Sequence, residues 1–193
     1  MQTAKHSRSE QALLFARNFF KHPKMLGSLI PSSRFLIDHL TKQIRWDKAR
    51  VIVEYGPGVG TISQELLRRM NKDAKLVVIE MNADFVEFMR RQFPDPRLHV
   101  VHGSAADVDS ILARLGLKGA DYVLSGIPFS TMPPEVRTSI IDKTRTVLRP
   151  KGKFLVYQFS RAVHPHLQQV FSNIRREYEP LNILPAHLYY CSA

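Results

Sequence analysis

The sequence predicts an α/β domain built on a seven-stranded, mostly parallel sheet with helices on both faces. Three observations predict it. From Arg50 onward, short apolar runs alternate with helically spaced stretches, the pattern of a doubly wound fold. The 193 residues, 44% of them hydrophobic, suit one domain with a substantial core. The last stretch, 177–192, lacks helical spacing and contains Pro180 and Pro185, so it reads as two closing strands joined by a turn.

Taken in order, residues 1–24 carry five Lys or Arg and one Glu. At roughly 100° per residue, Ala12, Leu13, Phe15, Ala16, Phe19 and Phe20 fill one side of a helix, and His6, Glu10, Arg17 and Lys21 the other. Leu14 alone breaks the pattern. Such a helix either packs on the domain or lies in a membrane interface, its rings among acyl chains and its cations near lipid phosphates. His22 to Ser33 is a loop, broken by two prolines and a glycine. Ser32 or Ser33 can cap the next helix, whose inner face is Leu36, Ile37, Leu40 and Ile44. The same serines, with Ser28, are candidate hydroxyl donors over a ligand mouth.

The repeating part then runs as strand 51–55, helix 61–70, strand 75–80, helix 83–93, strand 97–102, helix 107–115, strand 120–125, helix 133–148, strand 153–159 and helix 162–173. Residues 1–45 thus hold the N-terminal amphipathic and capping helices, and 46–193 the core of a single domain. The net charge of +11 calls for an anionic partner, either nucleic acid or a lipid surface. A single cysteine, Cys191, excludes an intramolecular disulfide and a cysteine-based zinc site, which suits a cytoplasmic setting. No apolar run approaches the roughly 18 residues of a membrane span, so a membrane-active protein of this sequence lies on the surface.

Chemistry concentrates in Val51-Ile-Val-Glu-Tyr-Gly-Pro-Gly-Val-Gly-Thr61, where a buried strand ends in an acid and a glycine-spaced loop. The dinucleotide fingerprint is G-x-G-x-x-G, whereas the spacing here is G-x-G-x-G. Glu54 stands two positions before the first glycine. A carboxylate there repels a pyrophosphate and attracts an ammonium or sulfonium. Glu80 closes the next strand, Leu76-Val-Val-Ile-Glu80, placed to accept both ribose hydroxyls of a nucleoside. A nucleoside with a cationic tail is S-adenosylmethionine. Glu54, the three glycines and Glu80 together resemble the cofactor site of class I methyltransferases, whose core is Rossmann-like. That resemblance implies a cofactor set of Glu54, Tyr55, Gly56, Pro57, Gly58, Gly60, Glu80, Met81, Ser104, Ala105 and Ser125, with S-adenosylhomocysteine as product. Related enzymes often carry an acid after the third-strand glycine to contact the adenine amine. Ser104 occupies that place here, with Asp107 either reaching in or capping a helix.

After the fourth strand, Ser125-Gly-Ile-Pro-Phe-Ser130 resembles the Asn-Pro-Pro-Tyr or Asn-Leu-Pro-Tyr loop by which amine methyltransferases orient a substrate nitrogen. Ser125 keeps an acceptor but not the amide, and Phe129 keeps the ring but not the hydroxyl. The expected catalytic group is Ser125, the carbonyl of Gly126 and Tyr157 holding a neutral amine, with Phe129 as a wall. Arg161, following the fifth strand, is placed to hold a substrate phosphate.

The order of these features, with Gly-Ser-Leu-Ile-Pro-Ser-Ser at 27–33, resembles the bacterial phospholipid N-methyltransferases along nearly the whole chain. What this implies is methyl transfer to the amine of phosphatidylethanolamine or a related aminolipid at an anionic membrane surface, on its cytoplasmic face. Phe15, Arg17, Phe19, Phe20, Ser28, Ser32, Ser33 and Arg161 are then the residues facing lipid. The rival is an adenine dimethyltransferase of ribosomal RNA, whose core looks similar. Ser125 and Phe129 stand where that family has Asn and Tyr, and the sequence shows no added helical domain to grip RNA. A third class is a non-catalytic cofactor- or lipid-binding module, against which Glu54 and Glu80 both count.

Overall fold

A computed structural model describes residues 32–192 of the chain. The expected N-terminal helix, with Phe15, Arg17, Phe19, Phe20 and Ser28, lies outside the described residues. Helix α1 (Arg34–Thr41) is capped by Ser33, whose hydroxyl accepts from the Leu36 amide at 3.2 Å. Strand β1 (Val51–Tyr55) leads to α2 (Thr61–Arg69), β2 (Lys75–Glu80) to α3 (Ala83–Gln92), and β3 (Leu98–His102) to α4 (Val108–Arg114). Strand β4 (Ala120–Ser125) leads to α5 (Pro134–Val147), β5 (Leu148–Gln158) to α6 (His164–Val170), and β6 (Asn173–Glu179) with β7 (Ala186–Ser192) closes the sheet.

The strand order is β3-β2-β1-β4-β5-β7-β6. Six strands run in one direction, and β7 alone is reversed, antiparallel to both β5 and β6. All five residues of β1 are buried, as a central strand covered on both faces must be. Alternate residues feed two cores. Val53, Tyr55, Val123, Phe154 and Val156 pack with α4, α5 and α6. Ile52, Leu76, Val78, Leu124 and Leu155 pack with α1, α2 and α3. The order reverses between β1 and β4, and such a switch point leaves a crevice beyond the carboxyl ends of the strands.

Three boundaries differ from expectation. The fifth strand begins at Leu148, five residues early, because Leu148 pairs with Ala120 before the ladder shifts register toward Tyr122 and Lys153. Lys151 takes a positive φ of 68° in this irregular stretch. Helix α6 is shorter than 162–173, and β6 starts at Asn173, four residues before the closing strands were expected. Strand β6 is a charged edge strand, Asn-Ile-Arg-Arg-Glu-Tyr-Glu, which shows no clean apolar alternation.

Candidate active site

Beyond the carboxyl ends of β1, β2 and β4 lies a cavity of about 390 Å³. Gly56 and Gly58 form one wall, Glu80 and Met81 another, Gly103, Ser104 and Ala105 a third, and Ile127, Pro128, Met132 and Val136 close it. Gly56, Gly58 and Gly60 all take positive φ, of 66°, 56° and 78°. L-residues with a Cβ avoid that region, so the path of the loop depends on glycine. Two of these glycines are also closely packed against side chains. A Cβ on Gly56 would meet Ile127 Cγ2 at 2.7 Å, and one on Gly60 would meet Met89 Sδ at 2.5 Å and Phe93 at 2.6 Å.

Glu80 hangs at the end of β2 with both carboxylate oxygens engaged, by the Gly58 amide at 3.3 Å and the Asn82 amide at 2.9 Å. It is 5% exposed, and burial raises its pKa against the opposing pull of those amides. The Met81 amide also engages this carboxylate, which still leaves acceptor capacity for a ribose hydroxyl. Ser104 accepts from the Ala106 amide at 3.1 Å and starts a 3-10 turn at Ala105–Asp107, leaving its hydroxyl proton free to donate. Asp107 is exposed and does not line the cavity, and its side chain makes no capping bond.

Glu54 is not among the residues lining the cavity, although it shares a sheet face with Glu80, which is. The Glu54 side chain accepts from the Ser63 hydroxyl of α2 at 2.5 Å. Burial and the charge of Glu80 push its carboxyl up to about 7. Next to it stands Tyr157, half-buried, whose phenol is raised by burial and by the Glu54 charge and is hydrogen-bonded with Ser32. A Cβ on Gly126 would overlap the Tyr157 ring and hydroxyl. Glu54, Tyr157, Gly126 and Ser32 therefore lie together beside the loop, and none of them lines the cavity.

Three expected residues are placed elsewhere. Tyr55 points into the core and bonds Thr144 at 3.0 Å, so only its backbone reaches the loop. Phe129 is fully buried, edge-on to Phe154 at 6.4 Å, and is core packing in place of an amine-pocket wall. The Ser125 hydroxyl is buried with no partner among the described residues. Ser125 lies between Tyr55 and Val156 in the ladder and shares their face, so its side chain points away from Tyr157. Pro57 is buried, and its carbonyl closes the glycine turn by accepting from the Gly60 amide at 2.9 Å. Arg161 is exposed beside His187 and Tyr189.

Two further side chains hold the site in shape. Gln158 donates to the Ile127 carbonyl at 2.8 Å and pins the 125–130 loop to β5. Ser63 holds Glu54. Neither spacing carried a signal, since both bonds join segments that only the fold brings together. Val136 and Ile140, which line the cavity from α5, lie four residues apart on one helical face, and that signal was present.

Comparison with known proteins fits this geometry. The methyltransferase small domain pattern matches residues 26–179. The chain belongs to that family. It is 33% identical over 180 residues to the ornithine lipid N-methyltransferase of Singulisphaera acidiphila, covering 92% of this chain and 94% of that protein. It is 30% identical over 138 residues to ribosomal RNA small subunit methyltransferase A of Mycoplasma mycoides, where it spans 49% of the relative's length. In fold it is similar to a methyltransferase from Geobacter sulfurreducens, with a TM-score of 0.63 at 15% identity over 98% of this chain and 93% of that one. It also resembles human methyltransferase-like protein 13 in complex with SAH, with a TM-score of 0.60 at 16% identity over 89% of this chain and 81% of that one. The protein is an S-adenosylmethionine-dependent methyltransferase with the class I fold.

Proposed function

We propose that this methyltransferase transfers methyl groups to the amine of an aminolipid headgroup at a membrane surface. The observation that carries the reading is the match, at 33% identity and nearly end to end, with a protein named as an ornithine lipid N-methyltransferase. The net charge of +11 supports an anionic surface as partner. Among the described residues no helix is long and apolar enough to cross a membrane. Phosphatidylethanolamine and an ornithine lipid both offer the primary amine this reading requires.

S-adenosylmethionine supplies a methyl carbon already activated by its sulfonium, so the protein's task is to position and desolvate the acceptor nitrogen. Glu80 and Ser104 are assigned to the ribose and adenine ends of the cofactor. The loop Gly56–Gly60 carries it across the switch point toward Gly126. Tyr157 keeps its proton because burial and Glu54 both oppose ionisation, so it offers the amine a hydroxyl and no phenolate. A cation beside Glu54 would draw its raised carboxyl toward the charged form. A low-dielectric setting lowers an amine's pKa, which yields the free lone pair the reaction needs.

Methyl-labelled cofactor incubated with vesicles of phosphatidylethanolamine, vesicles of an ornithine lipid, and total RNA tests the proposal. Label in either lipid fraction supports it, and label in RNA alone defeats it. The RNA reading has one specific observation in its favour, the similarity to ribosomal RNA methyltransferases over 70% of this chain.

A further inference from the structure

The hairpin joining β6 to β7 is inside out. Asn182 and Glu179 are buried, 6% and 4% exposed, while Leu181 and Ile183 stand 62% and 67% exposed and Leu184 39%. Its shape is fixed by polar bonds made inward. Glu179 accepts from the Leu181 amide at 2.6 Å, and the Asn182 side-chain amide donates to the Leu184 carbonyl at 2.8 Å. Asn182 also accepts from the Ser33 amide at 2.8 Å, tying the hairpin to the start of α1. The aliphatic side chains are therefore held in solvent by a buried amide.

The location of this hairpin bears on the chemistry. Strand β7 runs antiparallel to β5 with His187 opposite Gln158, so residues 180–185 emerge at the carboxyl end of the parallel strands, the end that holds the cavity. Ser32, hydrogen-bonded with Tyr157, adjoins Ser33, which holds the hairpin. Phe35, 36% exposed, lies two residues further on with the Arg34 guanidinium 4.8 Å from its ring centroid. Arg34 and Arg161 are exposed, and neither forms an ion pair with a carboxylate among the described residues.

We infer that the 180–185 hairpin, with Phe35 beside it, is a membrane-docking surface that seats the reaction mouth on an anionic phospholipid leaflet. Leu181, Ile183 and Leu184 enter the acyl boundary, and Arg34 and Arg161 meet lipid phosphates, a division of labour typical of interfacial binding. A headgroup amine then has only to rise past Ser32 and Ser33 to reach Tyr157. The partner follows from the aminolipid reading above, while the surface rests on the inverted hairpin and its position.

The test uses the full chain and vesicles of phosphatidylglycerol with phosphatidylcholine. Leu181→Ser combined with Ile183→Ser is expected to lower vesicle partitioning at least about tenfold. The unfolding temperature and cofactor affinity should stay at parent values, since both side chains sit in water. In a second protein, Ile183→Trp, the introduced indole should be quenched by lipids brominated on their acyl chains. Trp46, the single native tryptophan, precedes β1 at the opposite end of the sheet and should be unaffected. A double variant that pellets as well as the parent overturns the inference, as does an indole at 183 that brominated lipid leaves unquenched. Loss of RNA binding with vesicle binding intact also overturns it. Should the parent fail to methylate aminolipid dispersed in detergent while its vesicle binding still depends on the hairpin, the docking surface stands and the aminolipid reading falls.

Discussion

Gly126 faces the Tyr157 phenol so closely that any side chain at 126 collides with the ring and its hydroxyl. The glycine that follows β4 is thus required for packing, and the phenol is fixed above the loop assigned to the amine. Gly126→Ala should displace Tyr157 by about an ångström and cut turnover on the order of a hundredfold. Cofactor affinity should remain near the parent value, because the cavity is lined by other residues. Steady-state kinetics alongside calorimetric titration of the cofactor separates the two effects. Equal losses in both would place Gly126 under the cofactor.

Glu80→Ala should weaken S-adenosylmethionine binding by about 1–3 kcal/mol, the cost of leaving buried hydroxyls without their acceptor. The fold should tolerate the change, since removing a desolvated carboxylate offsets the loss to the Gly58 and Asn82 amides. Unchanged affinity by titration would take Glu80 out of the site.

Glu54 gives the apo protein a pH signature. Its folded carboxyl titrates near 7 and its unfolded one near 4.5, so between these values the folded chain holds a proton that the unfolded chain has lost. Stability therefore falls as pH rises through this window, by up to about 3 kcal/mol. Urea unfolding at pH 5 and pH 8 should show a drop that Glu54→Gln reduces. An identical drop in the variant would mean that Glu54 is not the titrating group.

Phe129 is now a stability residue. Phe129→Ala should cost about 3–5 kcal/mol as a core truncation beside Phe154. Phe129→Tyr, which restores the ring hydroxyl of the amine methyltransferase loop, should also destabilise, by about 1–3 kcal/mol, because its oxygen enters an apolar core. Thermal melts decide it. A tyrosine variant as stable as the parent would show that the ring can turn toward the mouth.

The central strands were legible because a parallel sheet buries both faces and leaves near-continuous apolar runs, as at Val51–Tyr55 and Lys75–Glu80. Glu80, Gly58 and Ser104 could be read as lining the ligand crevice because strand ends in such sheets face one edge. Side-chain direction within a strand was harder. Ser125 and Glu54 both sit at strand ends, yet they point to opposite faces, and a run buried on both sides carries no signal of that phase. Phe129 reads as a pocket wall in the sequence, but its 3-10 turn folds the ring back over Phe154. The 180–185 hairpin stayed hidden because its exposed leucines and isoleucine look like core until Asn182 is seen to occupy the inside.

In the proposed function, this fold delivers a cofactor methyl group to a lipid amine. The most direct measurement is mass spectrometry of phosphatidylethanolamine or ornithine-lipid vesicles after incubation with purified protein and deuteromethyl-labelled S-adenosylmethionine. A mass gain confined to the headgroup nitrogen is expected, lost in Glu80→Ala and strongly reduced in Gly126→Ala. Lipids that remain unlabelled while ribosomal RNA gains methyl groups on adenine would contradict it.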